Sequence, residues 1–553
     1  MSINYKFYMK ITIAVSLIFC ICSILLQKPS SPPQSIDYTR RFSAETRAQG
    51  KNDTVYNLKP MLDVGIMVPN GGVFRFTFPR QEWGDHVSKN FVQIFDESGY
   101  GTNNTLYYYR FDWYRLEGQK DVYLFEDVIE PLLADAYKKN ARVILGLACN
   151  CGSSSVPQKV NGKTVAVPLY LYKELQDSEY PMFEDKLYGD AYVPNYDSPL
   201  LLDRHNALLN AFAKWIEGNL KNTDVKRKDL IFGIETRYFG YWGEGSSLAK
   251  YYPKTELFHQ YLDSYNKYFP DKLIIGSIHH VTHLPVETLF NKNPENRTYV
   301  LAMQHCSKLF SMENDFGPWG FFIDSWQYNS DSYDLCSQKE VFDNNGKPTK
   351  LALWLRDKIY GKRFLTGEFD FFGKKGDEPY GGLYQQFTSR GISSMSINGI
   401  RAAIDGVRLP VIPDSVYTNV RECLSMVGYR IVLDPTPVFY KKGSKRYVTI
   451  TLSNIGVSRI FPDYYRLRFF VKNTEDAIIY DTISDFDIRD LLPQPDSPLL
   501  YDKSKGIEIS QFVGRKKGML YLQIIDTKGI EQPLTLSNYG RQKDGSYYLG
   551  ELK

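Results

Sequence analysis

Residues 229–247 read DLIFGIETRYFGYWGEGSS, a short apolar run that breaks into aromatics, glycines and two glutamates. The run 230–234 is too short for a helix and rich in residues that suit a buried strand. Gly233 within it admits close approach of a neighbouring backbone. Beyond it, Gly240, Gly243 and Gly245 end regular structure. A buried parallel strand ending in a loop with Glu235, Arg237, Tyr238, Tyr241, Trp242 and Glu244 is how an α/β barrel presents chemistry at its C-terminal face. Glu244 is the first catalytic candidate. The competing reading is that Glu235 and Glu244 only pair with Arg237 or cap the following turn.

Working outward, strands and helices alternate. Residues 62–68 or 73–78 supply a first strand, 106–111 a second and 142–148 (RVILGLA) a third, with a helix over 122–140 between the last two. The stretch 152–199 reads as a long loop covering a site. Helices follow at 204–220 and 255–268, and strands at 272–277, 299–303, 321–324, 364–369 and 394–397. Further helices are expected at 351–360, 382–390 and 415–426. The repeat predicts an α/β fold, a (β/α)8 TIM barrel over 58–428, with the register of strands five and six open. After residue 428 the texture changes to two-residue alternation over 438–452, 465–471, 478–482, 507–510 and 519–525. This predicts a C-terminal β-sandwich over 429–553, either bracing the barrel or binding glycans.

The totals narrow the function. A chain of 553 residues has room for one large domain and a smaller one. Its net charge of +4, without a long basic run, argues against nucleic acid as a partner. Lys6 and Lys10 precede sixteen uncharged residues, 11–26, so 1–29 is expected to be a signal peptide or membrane anchor and 30–57 a linker. Cleaved, uncleaved and lipidated (Cys20 or Cys22) forms stay open. The expected location is the cell envelope, periplasm or cell surface. The five later cysteines, Cys149, Cys151, Cys306, Cys336 and Cys423, form neither a disulfide framework nor a zinc pattern. No cofactor or metal is expected.

Glu244 after the fourth strand and Glu368 on the seventh would lie across a barrel mouth. Retaining glycoside hydrolysis needs such a pair, one carboxyl as acid/base and one as nucleophile, about 5 to 5.5 Å apart. Glu244 is read as acid/base and Glu368 as nucleophile, with Arg110 and Arg237 holding charge nearby. Trp113, Trp242, Trp319 and Trp326 follow predicted strand ends and would stack on sugar rings, whereas Trp215 and Trp354 pack on helices. Asp112, Asn150 and Asp324 would take sugar hydroxyls, and Tyr241 and His279 contact the ligand. The substrate is then an oligo- or polysaccharide. Two alternatives stand beside this: a non-catalytic glycan-binding surface protein, and a metal-dependent hydrolase using His279, His283, His305 and Asp324.

GYWGEG at 240–245, GFFIDSWQYNSDSYD at 320–334, TGE at 366–368 and the trailing sandwich resemble a bacterial exported family of unassigned (DUF4832-like) domains. That family is similar to retaining (β/α)8-barrel glycosidases, whose two glutamates follow strands four and seven. The resemblance implies this fold and the same roles for Glu244 and Glu368. Two positions depart from the pattern. Gly243 stands where those glycosidases carry an Asn contacting the sugar 2-hydroxyl, and Ile323-Asp324 stands where the family reads Asn-Asp.

Overall fold

The computed structural model describes residues 73–77, 106–148, 158–186, 190–240, 243, 253–277, 308–309, 311–326, 362–369, 395–396, 428–493 and 501–553. All belong to one compact unit, 54–553. The expected leader and linker, the strand at 299–303 and the helices at 351–360, 382–390 and 415–426 lie outside the described residues.

Eight parallel strands organise the first part: β1 (Val73–Thr77), β2 (Leu106–Asp112), β3 (Arg142–Ala148), β4 (Ile231–Glu235), β5 (Leu273–Ser277), β6 (Gly320–Trp326), β7 (Leu365–Phe369) and β8 (Met395–Ser396). β2 to β7 form a continuous curled run of six. β1 pairs with β2 at one end, and the short β8 pairs with both β7 and β1. The fold is thus α/β and TIM-like. The first described strand is 73–77, the second of the two stretches read for it, and 62–68 lies outside the described residues. β5 hydrogen-bonds directly to β6.

β2, LYYYRFD, is buried along its whole length because alternate side chains enter two cores. Tyr107, Tyr109 and Phe111 join the layer between sheet and helices, while Leu106 and Tyr108 join the interior with Ile144, Leu273, Ile275, Phe322 and Phe364. A Cβ on Gly233 would sit 3.2 Å from the Leu273 carbonyl oxygen, the close approach its sequence position foretold.

Among the described residues, three helices longer than eight residues cover this sheet: α1 (Glu130–Lys138), α2 (Pro199–Ile216) and α3 (Thr255–Tyr268). α2 starts five residues earlier than its apolar period indicates. Ser198 accepts the Leu201 N–H at 3.2 Å and Pro199 occupies the first turn, where its missing N–H costs nothing. The helix expected over 122–140 is broken. Val122–Tyr123 is a strand paired with Glu117–Gln119, and Pro131 restarts the chain as α1. The loop expected over 152–199 carries its own four-stranded sheet and a helix, Leu169–Gln176.

The C-terminal part holds two antiparallel sheets. One contains β9 (Ile431–Leu433), β10 (Val438–Lys442), β11 (Lys445–Asn454) and β14 (Ile507–Phe512). The other runs in the order β13 (Ile478–Ile483), β12 (Tyr465–Lys472), β15 (Gly518–Asp526), β16 (Tyr547–Leu552). Val448, Ile450 and Leu452 from the first share one core with Leu467, Phe469, Leu520 and Leu522 from the second. The strand expected over 438–452 is a hairpin. Gly443, at φ +60°, occupies the first position of its two-residue turn, where L side chains are strained.

These sheets pack on the N-terminal ends of the barrel strands. Arg142, the first residue of β3, is fully buried and ion-paired with Asp526 at 2.7 Å and with Glu531. Its Nε donates to the Asp229 carbonyl at 2.8 Å, and its guanidinium lies 3.7 Å from the centre of the Tyr464 ring. Burial pushes the Glu531 carboxyl up, against the pull of Arg142. Phe461 meets Phe364 edge-on at 5.6 Å and closes the bottom of the interior. Of the two roles open from the sequence, bracing is the one these contacts perform.

Candidate functional site

The opposite ends of β2, β3 and β4 converge on two buried arginines. Arg110 on β2 and Arg237, two residues past β4, each donate through Nε to the Tyr108 hydroxyl at 2.9 Å. Both guanidinium groups face the Phe322 ring of β6, at 4.2 Å for Arg237 and 5.0 Å for Arg110. Arg237 is ion-paired with Glu235 at 2.6 Å, and neither side chain is exposed. Room for the second arginine comes from Gly146 on β3. A Cβ there would fall 2.9 Å from Arg237 Cγ and 3.4 Å from Arg110 Cγ. Asp112 ends β2, 3.7 Å from Arg115.

Such a layer is a fixed electrostatic floor. Charged groups this deeply buried keep their charge only when paired and hydrogen-bonded, and the aromatic rings exclude water around them. Glu235 offsets one arginine, as the competing sequence reading allowed. It lies within β4 itself rather than in the loop beyond.

The segment that leads toward Glu244 is anchored on both sides. Outside, Tyr238 stacks on Tyr261 of α3 (4.8 Å, 14°) and Phe239 packs edge-on against Tyr196 (4.7 Å). His205 of α2 completes this aromatic packing, and burial pushes its pKa down to about 3, so it is neutral at physiological pH. Inside, Gly240 donates to the Tyr196 hydroxyl at 3.2 Å and Gly243 donates to the Gly240 carbonyl at 3.1 Å. Gly243 has φ +69°.

The other sequence-derived candidates fall into three groups. Arg110, Glu235 and Arg237 are brought together as described, while Asp112 stands at the end of β2 beside Arg115. Asp324, Trp326 and Glu368 have described backbones only: Trp326 pairs with Phe369 beyond a register shift in β6, and Glu368 pairs with Ser396. Asn150, Tyr241, Trp242, Glu244 and His279 lie outside the described residues, as do His283 and His305. Among the described residues no group of three or more His, Cys, Asp or Glu could hold a metal ion.

Two tryptophans depart from their expected place. Trp113 is 1% exposed in the core outside the barrel, where its Nε1 donates to Glu117 at 2.9 Å and its ring meets His205. Its faces are covered by protein and are not available to a sugar. Trp319 directly precedes β6 and follows the short hairpin strand Gly317–Pro318, not a strand of the parallel sheet. It is fully buried at the N-terminal end, donating to Asn266 at 2.7 Å.

Tyr108, Gly146 and Phe322 were not singled out from the sequence. The period-two reading of LYYYRFD carries the signal for Tyr108, since it places that residue on the same face as Arg110.

No family model and no curated protein matches this chain. Solved structures similar to it are glycoside hydrolases. Endo-glycoceramidase II from Rhodococcus sp., solved as a lactosyl-enzyme intermediate, is 11% identical with a TM-score of 0.40, covering 83% of this chain and 100% of its own. The catalytic domain of a β-amylase from Paenibacillus polymyxa is 13% identical with a TM-score of 0.35, covering 64% and 98%. An endoglucanase from Pseudomonas stutzeri is 12% identical with a TM-score of 0.30, covering 59% and 84%.

Proposed function

We propose that this chain is an exported glycoside hydrolase that cleaves an oligo- or polysaccharide with two carboxylates and retention of configuration. In this reading residues 58–428 form a (β/α)8 catalytic barrel and 429–553 a β-sandwich. Glu244 is the acid/base and Glu368 the nucleophile. The observation that carries the reading is the strand order: the segment ending at Gly243 follows the fourth strand of the pairing order, and Glu368 lies on the seventh. In a ring of eight these ends lie across the mouth from each other, which is what flanking one glycosidic bond requires.

The described floor supports the same reading. Arg110 and Arg237, held by Tyr108, supply fixed positive charge beneath the mouth, which favours an ionised nucleophile. In this reading Asp112, Asn150, Tyr241, Trp242, His279, Asp324 and Trp326 supply the sugar contacts.

The test is a screen of activated aryl glycosides with the parent and two variants. The parent should release the phenol and Glu368→Gln should not, whatever the leaving group. Glu244→Gln should keep the first step for activated substrates and lose it for poor leaving groups, and added azide should restore turnover as a glycosyl azide of retained configuration. A parent that binds glycans on an array yet never releases a reducing end is a binding protein, and the enzymatic reading is then wrong.

A further inference from the structure

Two short basic runs far apart in sequence meet at one end of the C-terminal sheets. KKGSKR (441–446) is the turn between β10 and β11, and GRKKG (514–518) connects β14 to β15. Their backbones are joined. Arg446 N–H donates to the Gly514 carbonyl at 2.9 Å, Val513 N–H donates to the Arg446 carbonyl at 2.9 Å, and the Arg446 guanidinium donates to the Arg515 carbonyl.

The seven basic side chains of these runs have no acidic residue among them. All but Arg446 are exposed. Among the described residues none of the seven is ion-paired with an Asp or Glu, and Arg446 is spent on backbone oxygens of Arg515 and Lys553. Of the acids in neighbouring strands and turns, Asp476 and Asp544 face Lys472, and Glu551 stands opposite Met519 on β16. The whole chain has 67 basic and 63 acidic residues, so without these seven the remainder is net negative, 60 against 63.

The tip is remote from the barrel. Tyr465 and Asp526, at one end of β12 and β15, belong to the contact with Arg142, whereas Lys472 and Met519 pair at the other end, about 23 Å away at the rise of an extended strand. Leading to the turns is a row of half-buried rings on the outer face of β10, β11 and β14. Tyr440 stacks on Tyr447 (5.2 Å, 10°), and Tyr447 meets Phe512 at 5.5 Å. The Lys442 ammonium lies 5.6 Å from the centre of the Tyr447 ring. The exposed apolar side chains of this strand, Val438 and Phe439, sit at its far end from the turn. The tip thus presents charge without an apolar wedge to enter a bilayer.

We infer that these two turns form a binding site for an anionic polysaccharide, separate from the barrel mouth. The carboxylate, sulfate or phosphate groups of such a polymer meet the lysines, and its sugar rings run along Tyr440 and Tyr447. Closely spaced unpaired cations raise the local potential enough to concentrate a polyanion, and such attraction is screened by salt. A polymer held 20 Å or more from the mouth, at the scale set by strand rise, would tether the protein without occupying its cleft.

The test is affinity electrophoresis of the full chain in gels containing polygalacturonate, with neutral dextran as control, across a series of NaCl concentrations. The parent should be retarded by polygalacturonate alone, less so as salt rises. Combined Lys441→Gln, Lys442→Gln, Lys516→Gln and Lys517→Gln should weaken retention by about tenfold or more, because the unscreened charge that attracts the polymer is removed. Lys→Arg at the same four positions should keep it, which separates charge from any folding defect. A parent that is not retarded, or a folded Gln variant retarded as strongly as the parent, would overturn the inference. So would a parent that binds phosphatidylglycerol vesicles or DNA but not polygalacturonate.

Discussion

Gly243 lies so close to Arg237 that a Cβ on the glycine would fall 2.2 Å from the Arg237 carbonyl oxygen. The chain folds back onto its own strand end there and leaves no volume for a side chain. Replacing Gly243 with Asn should therefore disrupt the loop instead of restoring a sugar contact. The left-handed conformation alone costs a non-glycine residue about 1–2 kcal/mol, before the overlap is relieved. The expected outcome is a lower Tm and a lower kcat/KM on any glycoside the parent cleaves. A gain in kcat/KM would show that the loop has more freedom than this geometry allows.

Tyr108 should matter through its hydroxyl alone. Tyr108→Phe keeps the ring stacked against Phe322 but removes the shared acceptor of two buried arginine Nε groups. A loss of about 1–3 kcal/mol in urea unfolding is expected from leaving such donors unsatisfied. An unchanged midpoint would mean that other partners suffice.

Much of this architecture was legible in the sequence, and the exceptions have physical reasons. RVILGLA at 142–148 is continuous in hydrophobicity and ends at polar residues, so β3 was assigned to the residue. α2 was displaced because its start is written in Ser198 and Pro199, not in the apolar period. The arginine layer was half visible. Arg110 and Arg237 could be named, but Gly146 and Phe322 become partners only when the curled sheet brings β2, β3, β4 and β6 around one interior. Trp113 was misplaced because a tryptophan after a strand looks alike whether it turns toward the mouth or outward into the helix layer. The cationic tip was invisible for the same reason, since its two runs are joined only by the pairing of β11 with β14.

Arg142 should be the most sensitive contact between the barrel and the C-terminal sheets. Arg142→Met leaves Asp526 and Glu531 buried without their counter-charge, a change that typically costs about 3–5 kcal/mol. Denaturant unfolding should show that loss, and much of it should be recovered when Asp526 and Glu531 are also replaced by Asn and Gln, whose amide oxygens still accept from the Ile530 and Glu531 N–H groups and from the Tyr465 hydroxyl. Equal instability of single and triple variants would mean that packing, not charge, is the problem.

His205 predicts an acid limb in the stability profile. Its pKa is depressed to about 3 by burial, against about 6.5 in an unfolded chain, so the unfolded state binds the extra proton first. The stability this neutral imidazole preserves is complete above pH 6.5 and declines as pH falls toward 3, by about 1.4 kcal/mol per pH unit. His205→Phe should flatten the profile in that window, whatever its stability at pH 7. Parallel profiles for parent and variant between pH 7 and pH 5 would contradict the assignment.

The central claim, that Glu368 is the nucleophile of a retaining glycosidase with Glu244 as its acid/base, is tested most directly by trapping the intermediate. The parent is incubated with a panel of 2-deoxy-2-fluoro glycosides bearing activated leaving groups, digested, and its peptides sequenced by mass spectrometry. The account predicts a stoichiometric glycosyl adduct for at least one sugar, carried by the peptide containing Glu368 and accumulating in Glu244→Gln as well, because an activated leaving group needs no protonation. An adduct on Glu235 or any other carboxylate, or glycoside cleavage with inverted configuration and no adduct, would contradict it.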